Sequence, residues 1–268
     1  MRIFTAISGL LMAGAAFAQS SNQSSSCSPK SADVQTVQFA YALQYLSERF
    51  WSSQPLNQSF LQDAKNASKA NYGPNFQGIQ RQNRLGVRAV QQTGKSVSGF
   101  SAPRCNFTFP SSKDADAFVK TALQIESSVT GALIGLAGYT QAPEVSFLLA
   151  RLAAEHGAHV AYIGAQQTPV IFPSNSSSLP PAWTPDHVLK NGTQIGQLGS
   201  YLKNCVSAPA APCNQKFNIG PLVGSFNSTS SGSSASSSAS PSSTPSSSGS
   251  SSSASSTASS TSRKRKYF

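Results

Sequence analysis

Four stretches of this chain repeat their apolar side chains every three or four residues, and strand-like alternation is nearly absent. Coiled as helices, such stretches each carry one apolar face, and the way to bury four such faces is to pack them against one another. The first runs from Asp33 through Val34, Val37, Phe39, Leu43, Leu46, Phe50 and Trp51 and ends near Ser53, before Pro55. Residues 54–68 read as a loop with one helical turn near Phe60 and Leu61, closed by Tyr72, Gly73 and Pro74. A second helix is expected from Asn75 to about Gln92, through Phe76, Ile79, Leu85, Val87 and Val90. The third begins at Ser111 and Ser112, places Asp114 and Asp116 where the helix dipole favours anions, and continues to Leu136. The fourth follows Pro143, runs through Val145, Leu148, Leu149, Leu152, His159, Tyr162 and Ile163, and stops before Gln166. After a Pro/Ser loop over 169–185, a last helix is expected over about 192–203. The fold class is therefore all-α, a four-helix bundle with an extra C-terminal helix.

The ends of the chain do not belong to that bundle. Arg2, an apolar run and Ala16-Phe17-Ala18 ahead of Gln19 have the charged, apolar and small-residue parts of a signal peptide over 1–18. From 228 to 262 the chain is Ser, Thr, Ala, Gly and Pro, with nothing large and apolar to offset the entropy of ordering it. A disordered Ser/Thr-rich tail with a basic terminus is expected over 228–268. Residues 19–32 form an N-terminal segment, and 33–227 the helical domain, large enough for a substantial core.

The 268 residues carry a net charge of +11, which by itself invites an anionic polymer as partner. Arg2 and the run Arg263-Lys264-Arg265-Lys266 supply five of the twenty cations, however, and no aromatic residues interleave the basic ones. The chain is not expected to bind nucleic acid. Seven Asn-x-Ser/Thr acceptors, at Asn22, Asn57, Asn66, Asn106, Asn175, Asn191 and Asn227, are expected to be glycosylated in a eukaryotic secretory pathway. With no apolar segment after the tail, neither a membrane span nor a lipid anchor is expected. The expectation is a secreted product, extracellular or held in a cell wall. Cys27, Cys105, Cys205 and Cys213 form an even set in an oxidising compartment, for which three pairings exist. The favoured one joins Cys105 with Cys205 and Cys27 with Cys213.

Nine acids and three histidines leave few residues for chemistry. Leu148, Leu152, Glu155, His159 and Tyr162 follow steps of four, three, four and three, and so share one stripe of the fourth helix. Glu126 shares a stripe of the third with Leu123, Val129 and Leu133. Glu126, Glu155 and His159 are thereby candidate metal ligands, pointing inward from neighbouring helices. The competing reading leaves Glu126 and Glu155 partly exposed beside Arg151 or Lys120, with His156 at the rim, and His187 solvated in its loop. Serine-nucleophile elbows, phosphate loops, H-E-x-x-H and dinucleotide fingerprints are all absent.

Several segments in order resemble a family. Tyr41-Ala42-Leu43-Gln44-Tyr45-Leu46 with Phe50-Trp51, then Cys105-Asn106-Phe107-Thr108-Phe109-Pro110, form the first part of the resemblance. Ala122-Leu123-Gln124-Ile125-Glu126 with Gly131-Ala132, and Leu152-Ala153-Ala154-Glu155-His156-Gly157-Ala158-His159, continue it. Pro180-Pro181-Ala182-Trp183-Thr184-Pro185 and Tyr201-Leu202-Lys203-Asn204-Cys205 close it. Over about 33–206 the chain is similar to the fungal ferritin-like domain proteins, secreted proteins associated with stress response and sexual development. The resemblance implies a ferritin-like bundle and directs attention to a di-iron centre.

Such a centre takes a Glu from each of two helices and a Glu-x-x-His from each of the other two. Here the first helix has Gln44 and Ser47, with Glu48 one step out of register, and the second has Gln82, Asn83 and Gly86. Between Asn75 and Lys95 there is no acid and no histidine. Glu155 and His159 stand four apart instead of three. Loss of di-iron oxidase chemistry is expected, with no cofactor or one weakly held Fe, Mn or Zn ion. The expected role is non-enzymatic, at the surface or wall of a fungus. A reduced metal site, and an adhesin or effector directed at wall polysaccharide or a host surface, are the alternatives.

Overall fold

Helix α1 (Asp33–Trp51) packs against α4 (Tyr72–Gly94), and α5 (Ala115–Leu136) against α6 (Pro143–Gln167); α1 also meets α5, and α4 meets α6. The computed structural model describes residues 32–110, 112, 114–174, 179–192 and 194–211. These all lie within a unit spanning 1–228, and a second unit, 229–268, is outside the described residues. The expected signal peptide and tail, Cys27, Cys213, Asn22, Asn175 and Asn227 fall outside them too.

Cross-bundle contacts give the helix directions. Trp51 lies opposite Gln80 while Gln44 lies opposite Asn83, and Thr36 lies opposite Tyr139 while Ser47 lies opposite Glu126. Likewise α6 runs antiparallel to α5, with Gly157 beside Thr130 and Gly164 beside Leu123, and to α4, with His159 opposite Gln82 and Tyr162 opposite Phe76. Every neighbouring pair is antiparallel, so α4 and α5 run the same way and need a long crossover between them, the ferritin-like topology. Over residues 95–110 that crossover lies along α1: Gln38 Nε2 donates to Ser101 O, and Tyr45 and Phe50 pack on Phe107 and Phe109. The expected Cys105–Cys205 disulfide pins it to the C-terminal segment.

The helix boundaries differ from the sequence expectation in several places: the third long helix begins at Ala115 with Asp114 as its N-cap, not at Ser111, and the fourth runs on to Gln167. The second long helix starts at Tyr72, not Asn75, after the short α2 (Gln58–Leu61) and α3 (Ala67–Ala70). Asn66 and Asn71 take left-handed backbone conformations on either side of α3, which asparagine tolerates. Pro74 then falls in the first turn of α4, where its missing N–H costs nothing. The helix expected over 192–203 is corrected to one short piece within it, α8 (Gly199–Leu202), and a separate helical turn, α7 (Pro185–Val188), precedes that stretch. Gly196 breaks it: its φ is +92°, and its N–H donates to Ser128 Oγ on α5 instead of continuing a helix.

An aromatic cluster closes the end of the bundle where α1 finishes. Phe50 stacks on Phe118, and Trp51 meets both Phe76 and Phe118 edge-on. Each of these side chains is at most 1% exposed, and burying each contributes about 1.5–3 kcal/mol. At the opposite edge, Trp183 crosses α5 so closely that its N–H donates to Gly131 O. A Cβ at Gly135 would lie 1.9 Å from Trp183 O. Gly135→Ala therefore lowers stability by about 1–3 kcal/mol through overpacking. Gly157→Ala, whose nearest neighbour is Thr130 Cγ2 at 3.9 Å, is neutral or stabilising by up to about 1 kcal/mol. Urea denaturation of the two variants checks the contrast. Removing the Cys105–Cys205 bridge, which spans 100 residues, costs about 2–4 kcal/mol in the same assay.

Candidate functional site

At mid-bundle the four helices meet around one carboxylate. Glu126, on α5, is 0% exposed. Its Oε1 accepts hydrogen bonds from Ser47 Oγ and Trp51 Nε1, both on α1 and both at 2.6 Å. Its Oε2 faces two imidazoles of α6, His156 Nδ1 at 2.6 Å and His159 Nδ1 at 3.0 Å. Both ring edges beyond are also engaged, His156 Nε2 with Gln44 Oε1 at 3.0 Å and His159 Nε2 with Gln82 Oε1 at 2.7 Å.

One chain of these bonds has a fixed direction. Asn83 Nδ2 donates to Ile79 O, so Asn83 Oδ1 is the acceptor for Gln44 Nε2 at 2.9 Å. Gln44 Oε1 is then left to accept, and His156 Nε2 must be a donor. With its Nε2 protonated, His156 turns Nδ1 toward a carboxylate oxygen at 2.6 Å, and only a cation between them makes that contact attractive. In hydrogen-bond form that cation is a proton. Burial by itself raises the Glu126 carboxyl, but the charge and hydrogen bonds of His156 and His159 outweigh it and hold the group well below the usual carboxylate range.

The structure brings Glu126 and His159 together and places His156 with them, so Glu126, His156 and His159 form a buried group able to hold a metal ion. The rim position considered for His156 is corrected: it is 0% exposed. The exposed reading of Glu126, beside Arg151 or Lys120, is likewise overturned. Glu155 stands apart from this group, half-buried, with an Oε1 that is buried and has no hydrogen-bond partner among the described residues. His187 stacks on Trp183, with ring centroids 4.8 Å apart. A second stripe of α6 carried the missing signal: Leu149, Leu152, His156, His159 and Ile163 follow steps of three, four, three and four, and all five are buried. Ser47 was legible as a position where the resemblance puts a ligand and Trp51 as an apolar core residue of α1, but neither as a donor to Glu126. A small opening of about 290 Å³ between α4 and α6, lined by Gly78, Gln82, His159 and Tyr162, leads to the His159 side of the centre.

The family model of the ferritin-like domain matches residues 32–168, about half of the chain, and the chain belongs to that family. No curated protein and no solved structure matches it. The residues do not fit the two metal ions that the family implies. A di-iron centre needs about four carboxylates among some six ligands, and here one carboxylate, Glu126, faces the centre, while α1 and α4 present Gln44, Ser47, Gln82 and Asn83. Two divalent ions beside a single anion would leave most of their charge unbalanced in a buried site. A single ion is less demanding, but bonds of about 2.0–2.2 Å would put its ligand atoms roughly 3.3 Å apart. The observed separations of 2.6 and 3.0 Å are those of hydrogen bonds, so metal entry requires the centre to open.

Breaking this network from its middle carries a large cost. Glu126→Gln strands donors and a buried imidazole, and lowers stability by about 3–5 kcal/mol near neutral pH. Because the folded carboxyl lies below its unfolded value, the stability it contributes is complete above the ordinary carboxylate range and is lost below that range, as pH falls toward the folded carboxyl's own titration. The gap between wild type and Glu126→Gln in chemical denaturation therefore narrows below about pH 4.

Proposed function

We propose that this ferritin-like chain is an exported, glycosylated protein of a fungus that performs no di-iron oxidation and acts at the cell surface or in the wall during stress or development. The observation that carries the non-enzymatic part is the saturation of Glu126. Both carboxylate oxygens are taken by side chains of the bundle, and neutral amides occupy the facing positions of α1 and α4. A centre closed in this way holds four helices in register and leaves no open coordination position for oxygen.

Export is supported by the leader-like residues 1–18 and the density of glycosylation acceptors. The four acceptors among the described residues, Asn57, Asn66, Asn106 and Asn191, are all exposed. The cell-surface role, and its link to stress or development, follow the family resemblance of the sequence.

A second reading has one specific observation in its favour. His156 Nε2 donates outward to an anchored amide, the arrangement that orients a histidine to coordinate through Nδ1, and Glu155 Oε1 lies buried and unpartnered one residue away on the chain. In that reading one Fe, Mn or Zn ion binds Glu126, His156 and His159. Elemental analysis of protein purified from its native source separates the two. The first reading expects no stoichiometric metal, no change of melting temperature with chelator, and ferrous oxidation no faster than in buffer. Stoichiometric metal with a chelator-dependent melt establishes the second reading, and rapid ferrous oxidation refutes the first outright.

A further inference from the structure

On the outer side of the α5–α6 pair, away from Glu126, lies a groove of about 870 Å³ with no charged residue in its wall. Its volume is that of a small-molecule site. The floor is made by α6, mostly by the small residues Ala150, Ala153, Ala154, Gly157, Ala161 and Gly164, with Leu149 and Val160 beside them. The small residues span 14 helical steps, roughly 21 Å at the rise of an α-helix. The facing wall comes from α5, with Leu123, Thr130 and Ile134, and the lips from Phe172 and Ile195. Phe172 is 80% exposed and Ile195 46%. Large apolar side chains rimming an apolar depression are costly to leave in water.

The depression follows the small residues of α6 for about four helical turns. A long wall without charge suits a single extended alkyl chain. One end is also marked by charge. Lys120, exposed, continues the α5 stripe Leu123, Ser127, Thr130 and Ile134 by one further step of three. Lys65 Nζ reaches Gln167 O beyond Gly164, at the same end. The opposing group there is Asp116, whose Oδ1 accepts the Lys65 backbone N–H.

We propose that the α5–α6 groove binds a long-chain fatty acid, with its tail along the Ala/Gly floor and its carboxylate at Lys120. This site is separate from the Glu126 centre and independent of what that centre holds. The test is titration of the delipidated full chain with palmitate, followed by calorimetry and by displacement of a fluorescent polyene fatty acid. One saturable site per chain is expected. Ala154→Phe fills the floor from an exposed position and weakens palmitate at least about tenfold, a difference of about 1.4 kcal/mol, without lowering the melting temperature. Lys120→Glu weakens palmitate by about three- to tenfold, as a solvated ion pair allows, and leaves hexadecanol unchanged. Absence of saturable binding, or binding indifferent to Ala154→Phe, overturns the proposal. So does a concentration-dependent dimer that Ala154→Phe abolishes, which assigns the groove to a second copy. Palmitate binding only after Leu222→Asp and Val223→Asp overturns it as well, since the groove then belongs to the chain's own apolar segment 217–226.

Discussion

A fully buried carboxylate dictates the arrangement of everything around it. Moving a carboxylate from water into a protein interior costs several kcal/mol unless donors replace its hydration. Glu126 receives that replacement from two helices at once, Ser47 and Trp51 of α1 on one oxygen and His156 and His159 of α6 on the other. The fourth helix joins through Gln82 and through Asn83, which fixes Gln44. Sliding α1, α5 or α6 by a turn would strip Glu126 of partners, and sliding α4 would strip His159 and Gln44 of theirs. The register of the bundle and the state of its centre are thus one constraint.

The same constraint accounts for the distribution of charge. A bundle that holds two metal ions balances them with inward glutamates from every helix. With Gln and Asn at the facing positions of α1 and α4, the interior balances one anion with hydrogen-bonded imidazoles. The family fold is retained because the apolar stripes and the aromatic cluster of Phe50, Trp51, Phe76 and Phe118 do not depend on metal. The chain has nine acids in 268 residues, and of the four long helices α4 alone has none.

Much of this was legible in the residues, and the failures are specific. Four helices and an all-α bundle followed from spacing, since a stripe of apolar residues at steps of three and four admits little else. Glu126 and His159 were placed inward for the same reason. His156 was not, because the stripe followed on α6 ran through Glu155; the interior face of a helix is wider than one line of residues, and the line through Leu149 and Ile163 is the more deeply buried. The role of Trp51 as a donor to Glu126 depends on a contact between residues 75 apart, which no local pattern encodes. The helix expected over 192–203 failed at Gly196, where a tertiary bond to Ser128 outweighed local propensity.

Beyond the centre, the pairing of α5 with α6 serves two surfaces. Their inner sides build the carboxylate–imidazole network, and their outer sides leave the apolar groove. The central claim is that the position between the histidines and Glu126 is filled by protons. Nitrogen-15 NMR of the histidine side chains in native protein, before and after addition of zinc, tests it most directly. The account predicts a protonated Nδ1 on His156, hydrogen-bonded to carboxylate and unchanged by zinc. An Nδ1 without a proton and bound to metal, in the protein as isolated, would contradict it.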